Sequence, residues 1–146
     1  MAEGVAAWNL WRKKYMDVAP RLTGAWLARR SLEGVDLREA DLARVNFEGA
    51  DLYKLNGSHA NFRDARLKGA VLHRAIALEA DFSGADFSGA DLSSADLRGS
   101  IFPKARFDGA NLLGARFDGA DLSQALGLTD VQLASALYDS GTKLPD

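Results

Sequence analysis

From Leu32 to Leu122 the chain sets its inward candidates at every fifth position and never loses the phase. Nineteen pentapeptides share this register. Seventeen of their centres are Leu or Phe, all seven Phe of the chain are among them, and the exceptions are Gly57 and Ala77. Two residues before the centre stands Ala in fourteen of the nineteen, and between the two sits mostly Asp or Asn, as in Ala110-Asn111-Leu112. A period of five fits neither the two-residue repeat of a strand nor the 3.6-residue repeat of a helix. It also excludes a coiled coil, whose apolar seam it would smear around the helix. The backbone must instead turn a corner about once per pentapeptide. Four corners close a coil in about twenty residues, and successive coils then stack like strands roughly 4.8 Å apart, each satisfying the backbone groups of the next.

One such repeat cannot bury its own apolar face; stacking supplies the core, as in other solenoids. Leu or Phe fills the axis, and small Ala lets the walls approach. Gly stands two residues after the centre in nine of the nineteen pentapeptides, where a tight turn needs positive φ. The motif Ala-(Asp/Asn)-Leu-X-X is carried by Ala40-Asp41-Leu42, Ala50-Asp51-Leu52, Ala85-Asp86-Phe87, Ala90-Asp91-Leu92 and Ala120-Asp121-Leu122, among others. It resembles the motif of the pentapeptide-repeat family, in phase over residues 31–125. The resemblance implies an all-β solenoid, a right-handed, four-sided β-helix. About five coils give a rod of only ~25 Å at the strand spacing.

A solenoid must cover the open ends of its axis. Residues 3–16 carry Trp8, Trp11 and Tyr15 at helical spacing, opposite Arg12 and Lys13, and read as a capping helix whose aromatic face sits on the first coil. Pro20 separates it from the repeats, whose phase is already set at Leu22 and Leu27. At the other end Thr129-Asp130-Val131-Gln132 has the form of a capping box. It opens a short helix with Val131, Leu133, Ala134 and Leu137 available to cover the last coil or to dimerise. The expected organisation is a cap over 1–20, the β-helix over 21–125, and a capping helix with tail over 126–146.

Composition adds mostly exclusions. With no Cys there is no disulfide framework, no thiol nucleophile and no thiolate metal site. The N-terminal residues lack a secretory apolar segment, and no apolar run approaches a membrane span, so a cytoplasmic protein without membrane contact is the default. His59 and His73 lie on outward positions of adjacent faces without the further ligands a metal needs. The serines near Ser83, Ser88 and Ser93 have no His in a comparable phase, and the glycines follow the repeat rather than forming a phosphate loop. No cofactor, metal, catalytic group or direct nucleic-acid contact is expected.

Net charge of −2 conceals a polarity. Residues 1–30 carry six basic and two acidic side chains, whereas 31–125 carry eleven and fifteen. With a twenty-residue coil, residues n and n+20 are vertical neighbours. One coil then presents an acidic belt of Asp81, Asp86, Asp91 and Asp96, one on each face. Some members of the resembled family, including Qnr-type quinolone-resistance proteins, imitate duplex DNA and bind DNA gyrase, so the belt raises that alternative. Opposing it, Arg66, Asp86 and Arg106 form one column of alternating sign, and Asp96 stands next to Arg116. A second candidate surface surrounds the weak centres Gly57 and Ala77. Val71, Ile76 and Leu78 occupy outward positions there, and Tyr53, His73 and Leu113 share a neighbouring column, with Lys54, Arg74 and Glu79 as a polar rim. The chain therefore reads as a non-enzymatic scaffold or protein-interaction module. Its partner is an unidentified protein or a second copy, and gyrase or topoisomerase mimicry is the alternative.

Overall fold

The computed structural model describes residues 4–146. Its regular elements are two helices, α1 (Gly4–Lys14) and α2 (Asp130–Ser135). Between them the chain pairs with itself in parallel at a fixed offset of twenty. Arg21 bridges Asp41, Asp41 bridges Asn61, Asn61 bridges Asp81, and the same holds for the columns starting at Trp26, Ser31 and Asp36. Four such columns per turn make four faces. No face holds a continuous strand, in contrast to the stacked strands read from the repeat. The reason lies in the period itself. A β-turn occupies the two residues after each centre, so the extended stretch ends before a second bridge can form.

The pentapeptide 86–90 shows why five residues suffice. Asp86 N–H donates to Ala65 O (2.9 Å) on one neighbouring coil, and Phe87 and Gly89 N–H donate to Arg106 O (2.8 Å) and Asp108 O (2.9 Å) on the other. Ala90 N–H closes the turn onto Phe87 O (2.9 Å). One donor remains, and Asp86 Oδ1 accepts it from Ser88 N–H at 2.9 Å. Asp or Asn precedes the centre because only a short side chain carrying an acceptor reaches that N–H two residues on. Asn46, Asp51 and Asn111 make the same bond to Glu48, Tyr53 and Leu113. Where Ile101 takes the position, the residue two further on is Pro103, which has no N–H to satisfy.

All nineteen centres are buried. Phe62, Phe82 and Phe102 stack along the axis with centroids 4.6 and 5.3 Å apart, and Phe87 lies 5.0 Å from Phe107 on the next face. The turns are more demanding than the glycine count suggests. From Gly24 to Gly119 every fifth residue has positive φ, and half of these are not Gly, among them Arg29 (59°), Arg44 (56°) and Lys104 (59°). Each non-glycine turn costs roughly 1–2 kcal/mol. Hydrogen bonding to both neighbouring coils and the buried axis hold them there.

The weak repeat 76–80 is repaired by its neighbours. Ala77 stays inward and Ile76 outward, 41% exposed. The ring of Phe62 occupies the space a Cβ at Gly57 would need, at 2.8 Å. The turn bond from Ala80 N–H to Ala77 O is replaced by the buried Ser100 hydroxyl, which accepts from Ala80 N–H (3.0 Å) and donates to Ala77 O (2.7 Å). Ser58 Oγ accepts the Leu78 N–H (3.2 Å), which has no Asp or Asn to serve it.

At the N-terminal end α1 presents a different face from the one its aromatic spacing predicts. Val5 and Trp8 pack on the core, but Trp11 and Tyr15 remain 37% and 42% exposed. Arg12, expected on the outer side, is buried and donates to Arg38 O (2.8 Å) and Val18 O. Trp8 Nε1 donates to Asp36 O (2.8 Å), and the Asn9 amide accepts Asp36 N–H and donates to Gly34 O (both 2.9 Å). The need to satisfy edge backbone groups, which no hydropathy pattern records, turns the polar residues inward. Residue 3, where the helical reading starts, lies outside the described residues.

At the other end Thr129 and Gln132 form the reciprocal capping box, and Gln132 Nε2 also donates to Phe107 O (2.8 Å). Of the four residues expected to cover the last coil, only Leu133 packs on the core, joined by Leu128 and Leu144. Val131 and Leu137 are 80% and 53% exposed, and Ala134 is exposed. After α2 the chain rejoins the columns, Leu137 bridging Arg116 and Lys143 bridging Asp121. Leu137 therefore takes an outward bridge position.

Truncating Phe87, fully buried between Phe82 and Phe107, is expected to lower stability by about 3–5 kcal/mol in denaturant melts; a loss below about 1 kcal/mol would place it outside the core. The aspartates make a pH prediction. The Ser123 hydroxyl and N–H hold the Asp121 carboxyl below its ordinary range, and the Thr23 hydroxyl with Ala43 N–H does the same for Asp41. At Asp86 burial pushes upward, but the bonds from Ser88 and the charges of Arg106 and Lys68 outweigh it, so its value is also lowered. A lowered folded value means stability that is complete above the unfolded Asp pKa of about 3.9 and lost as pH falls through the folded values. Urea midpoints are therefore expected to be flat from pH 7 to 5 and to drop below pH 4. Asp86→Asn, which keeps the acceptor, should lose less than Asp86→Ala, for which about 1 kcal/mol is expected.

Candidate interaction surfaces

The coil 81–100 places Asp81, Asp86, Asp91 and Asp96 at the bridge positions of its four faces. Each Oδ1 is engaged by the backbone N–H two residues on, and the hydroxyls of Ser83, Ser88 and Ser93 add a second bond to three of them. Asp96 is held by the Arg98 guanidinium through Nε (2.8 Å) and the second amino nitrogen (2.8 Å). The four are only half exposed. The belt is one coil thick: Ile101, Arg106, Asn111 and Arg116 follow it down the four columns. Arg66 bridges Asp86 through the backbone, yet its guanidinium turns to Glu48 at 2.6 Å. Charge pairing runs as often within one pentapeptide, as in Arg106–Asp108 and Arg116–Asp118, as between adjacent coils, as in Arg66–Glu48 and Arg63–Asp81.

The coil 61–80 brings together Val71, His73, Ile76 and Leu78 across two faces and their corners. Val71 and Ile76 are about two-fifths exposed and Leu78 is half-buried. Tyr53 stacks on His73, with centroids 5.7 Å apart and rings 11° from parallel, and Lys54 Nζ lies 5.0 Å above the Tyr53 ring. His73 Nδ1 faces Ser93 O (2.9 Å) and Ser93 Oγ (2.8 Å), which fixes the ring. Leu113, 63% exposed, is two coils beyond His73 with Ser93 between them, so it does not join the other five. His59 Nδ1 lies 3.8 Å from Glu79 at the surface. Among the described residues no group of three or more metal-ligating side chains converges.

A surface that the repeat pattern leaves unannounced lies at the first coil. Trp26 is 73% exposed and forms a wall of two adjacent cavities, one with Arg29, Glu48 and Lys68, the other with Val5, Leu27 and Arg30. Its signal was available: Trp26 occupies the outward phase given mostly to Asp or Asn, one residue before Leu27. No helix among the described residues is long and apolar enough to cross a membrane.

The model of pentapeptide repeats matches residues 21–56, 58–93 and 90–126, in eight copies. No curated protein matches. Among solved structures, the chain is similar to the pentapeptide repeat protein Rfr23 of the cyanobacterium Cyanothece 51142. Identity is 24%, with 93% of this chain and 97% of that one covered and a TM-score of 0.57. A pentapeptide repeat protein from the Arabidopsis thaliana thylakoid lumen is 31% identical over 79% of this chain and 72% of that one, with a TM-score of 0.40. QnrB1, a plasmid-mediated fluoroquinolone resistance protein, is 24% identical over 88% of this chain and 83% of that one, with a TM-score of 0.39. The twenty-residue pairing is thus that of a right-handed β-helix, and the chain belongs to the pentapeptide-repeat family.

Proposed function

We propose that this protein is a non-enzymatic scaffold, a four-sided β-helix of about five coils closed by α1 and α2, which binds a partner protein in the cytoplasm. The observation that carries the reading is the break in surface chemistry on coil 61–80. Val71 and Ile76 stand at successive outward bridge positions, where most coils carry Asp, Asn or Arg. The rigid Tyr53–His73 stack fills the corner between them, with Lys54 and Arg74 at the rim. Aromatic and aliphatic anchors inside a polar rim are what an interface hot spot requires. A second copy of the chain is the simplest candidate for the partner.

Ile76→Asp is expected to leave the melting temperature within a few degrees, because the side chain is outward, and to abolish self-association or partner capture in light scattering and pull-down. If Ile76→Asp unfolds the protein or leaves association intact, the patch is not an interface.

The second reading, a DNA-mimicking inhibitor or protector of a topoisomerase, is favoured by the four aspartates of coil 81–100. Their engagement by backbone and serine groups and the arginines at 66, 106 and 116 weigh against it, since a mimic needs rows of projecting negative charge. Plasmid supercoiling by gyrase is expected to continue at low micromolar protein; potent inhibition would reverse the ranking.

A further inference from the structure

Within the solenoid each coil is a template for the next. Asn46 N–H donates to Ala25 O (2.9 Å), and Leu27 N–H donates to Asn46 O (2.8 Å). The first coil has no coil before it, and only one of its faces is served. Trp8, Asn9 and Arg12 satisfy the backbone at Gly34, Asp36 and Arg38. On the two preceding faces the N–H groups of Trp26 and Ser31 and the carbonyls of Trp26, Ala28, Ser31 and Glu33 have no hydrogen-bond partner among the described residues. These atoms are the same ones that pair with a preceding coil everywhere else in the rod. An edge of this kind is a template for another extended chain.

Two features show what would settle there. A cavity of about 650 Å³ opens over this edge between α1 and the coil, lined by Val5, Trp26, Leu27, Arg30 and Leu32. Leu27 is only partly buried, so the axis is incompletely covered at this point. The charge is mainly basic: residues 21–30 contain Arg21, Arg29 and Arg30 and no acidic residue, none of the three makes an ion pair among the described residues, and the one carboxylate of the edge, Glu33, stands at its far end. We propose that the edge from Trp26 to Glu33 receives an extended acidic segment of a partner protein. The segment adds to the first coil by backbone pairing, sets one apolar side chain into the cavity against Val5 and Leu27, and turns its carboxylates toward Arg29 and Arg30. The proposal rests on the reading of the chain as an interaction module but uses a surface separate from the Tyr53–Ile76 patch.

The test starts with a phage-displayed library of nine-residue peptides selected on the full chain, followed by titration of a synthetic selected peptide into ¹⁵N-labelled protein. The expected consensus combines acidic residues with one apolar anchor, and amide shifts concentrate on residues 26–33 and Val5. Arg30→Glu, a fully surface substitution, should weaken binding at least tenfold with an unchanged circular dichroism spectrum. Of two versions of the peptide N-methylated at alternate amides, the one methylated at the amides that face the edge should lose binding and the one methylated at the intervening amides, with the same added bulk, should keep it. The proposal is overturned if no peptide is selected, if the two methylated versions bind alike, or if the shifts fall elsewhere. Shifts centred on Tyr53, His73 and Ile76 would overturn the edge site and support the patch. Loss of association in Ile76→Asp with no peptide selected would separate the two readings in the same direction.

Discussion

The structure depends on a closed account of backbone hydrogen bonds within five residues. A chain that turns a corner every pentapeptide has too little extended length for a conventional ladder, and a donor left unsatisfied in each repeat would be a recurring penalty. Three N–H groups reach neighbouring coils, one closes the turn, and the Asp or Asn before the centre takes the fifth. The motif residue that looks like surface charge is therefore a structural acceptor. Its other duties are secondary.

This account explains both the tolerance and the limits of the repeat. Ten turns hold a non-glycine residue in the left-handed region because bonds to the adjacent coils and the stacked axis oppose relaxation. Some irregular pentapeptides borrow what they lack from another coil, as Ala77 and Leu78 do from Ser100 and Ser58, whereas those led by Arg66 and Val71 leave one N–H without an acceptor among the described residues. At the first coil the same demand recruits Trp8, Asn9 and Arg12 from α1 for one face and leaves the other three open. Function is read most readily at these departures, where an outward position carries Val71, Ile76 or Trp26 instead of a polar residue.

The axis was fully legible in the sequence, since a five-residue phase of Leu and Phe has one geometric solution. The register of twenty followed from it, and with it the vertical neighbours of Asp86 and the adjacency of Gly57 and Ala77. The candidate patch was legible in part. Tyr53, His73, Val71 and Ile76 come together as the register requires, but the intervening Ser93 detaches Leu113. Less legible was whatever depends on side-chain direction at the ends. Arg12 turns inward because bare carbonyls await it, and Leu137 turns outward because the chain rejoins a bridge column after α2. Arg66 chooses Glu48 over Asp86 because reach along the surface, not column membership, decides an exposed pair.

Amide hydrogen exchange followed residue by residue by NMR tests the central claim most directly. The account predicts protection with a period of five, in which the residue after each centre is slow where Asp or Asn precedes that centre, or where another coil supplies the acceptor, as Ser58 does for Leu78. Ser88 and Ser93, bonded to Asp86 and Asp91, should exchange slowly, whereas Lys68 and His73, preceded by Arg66 and Val71 and lacking an acceptor among the described residues, should exchange fast. Equal protection at these four amides, or no five-residue periodicity, would contradict it.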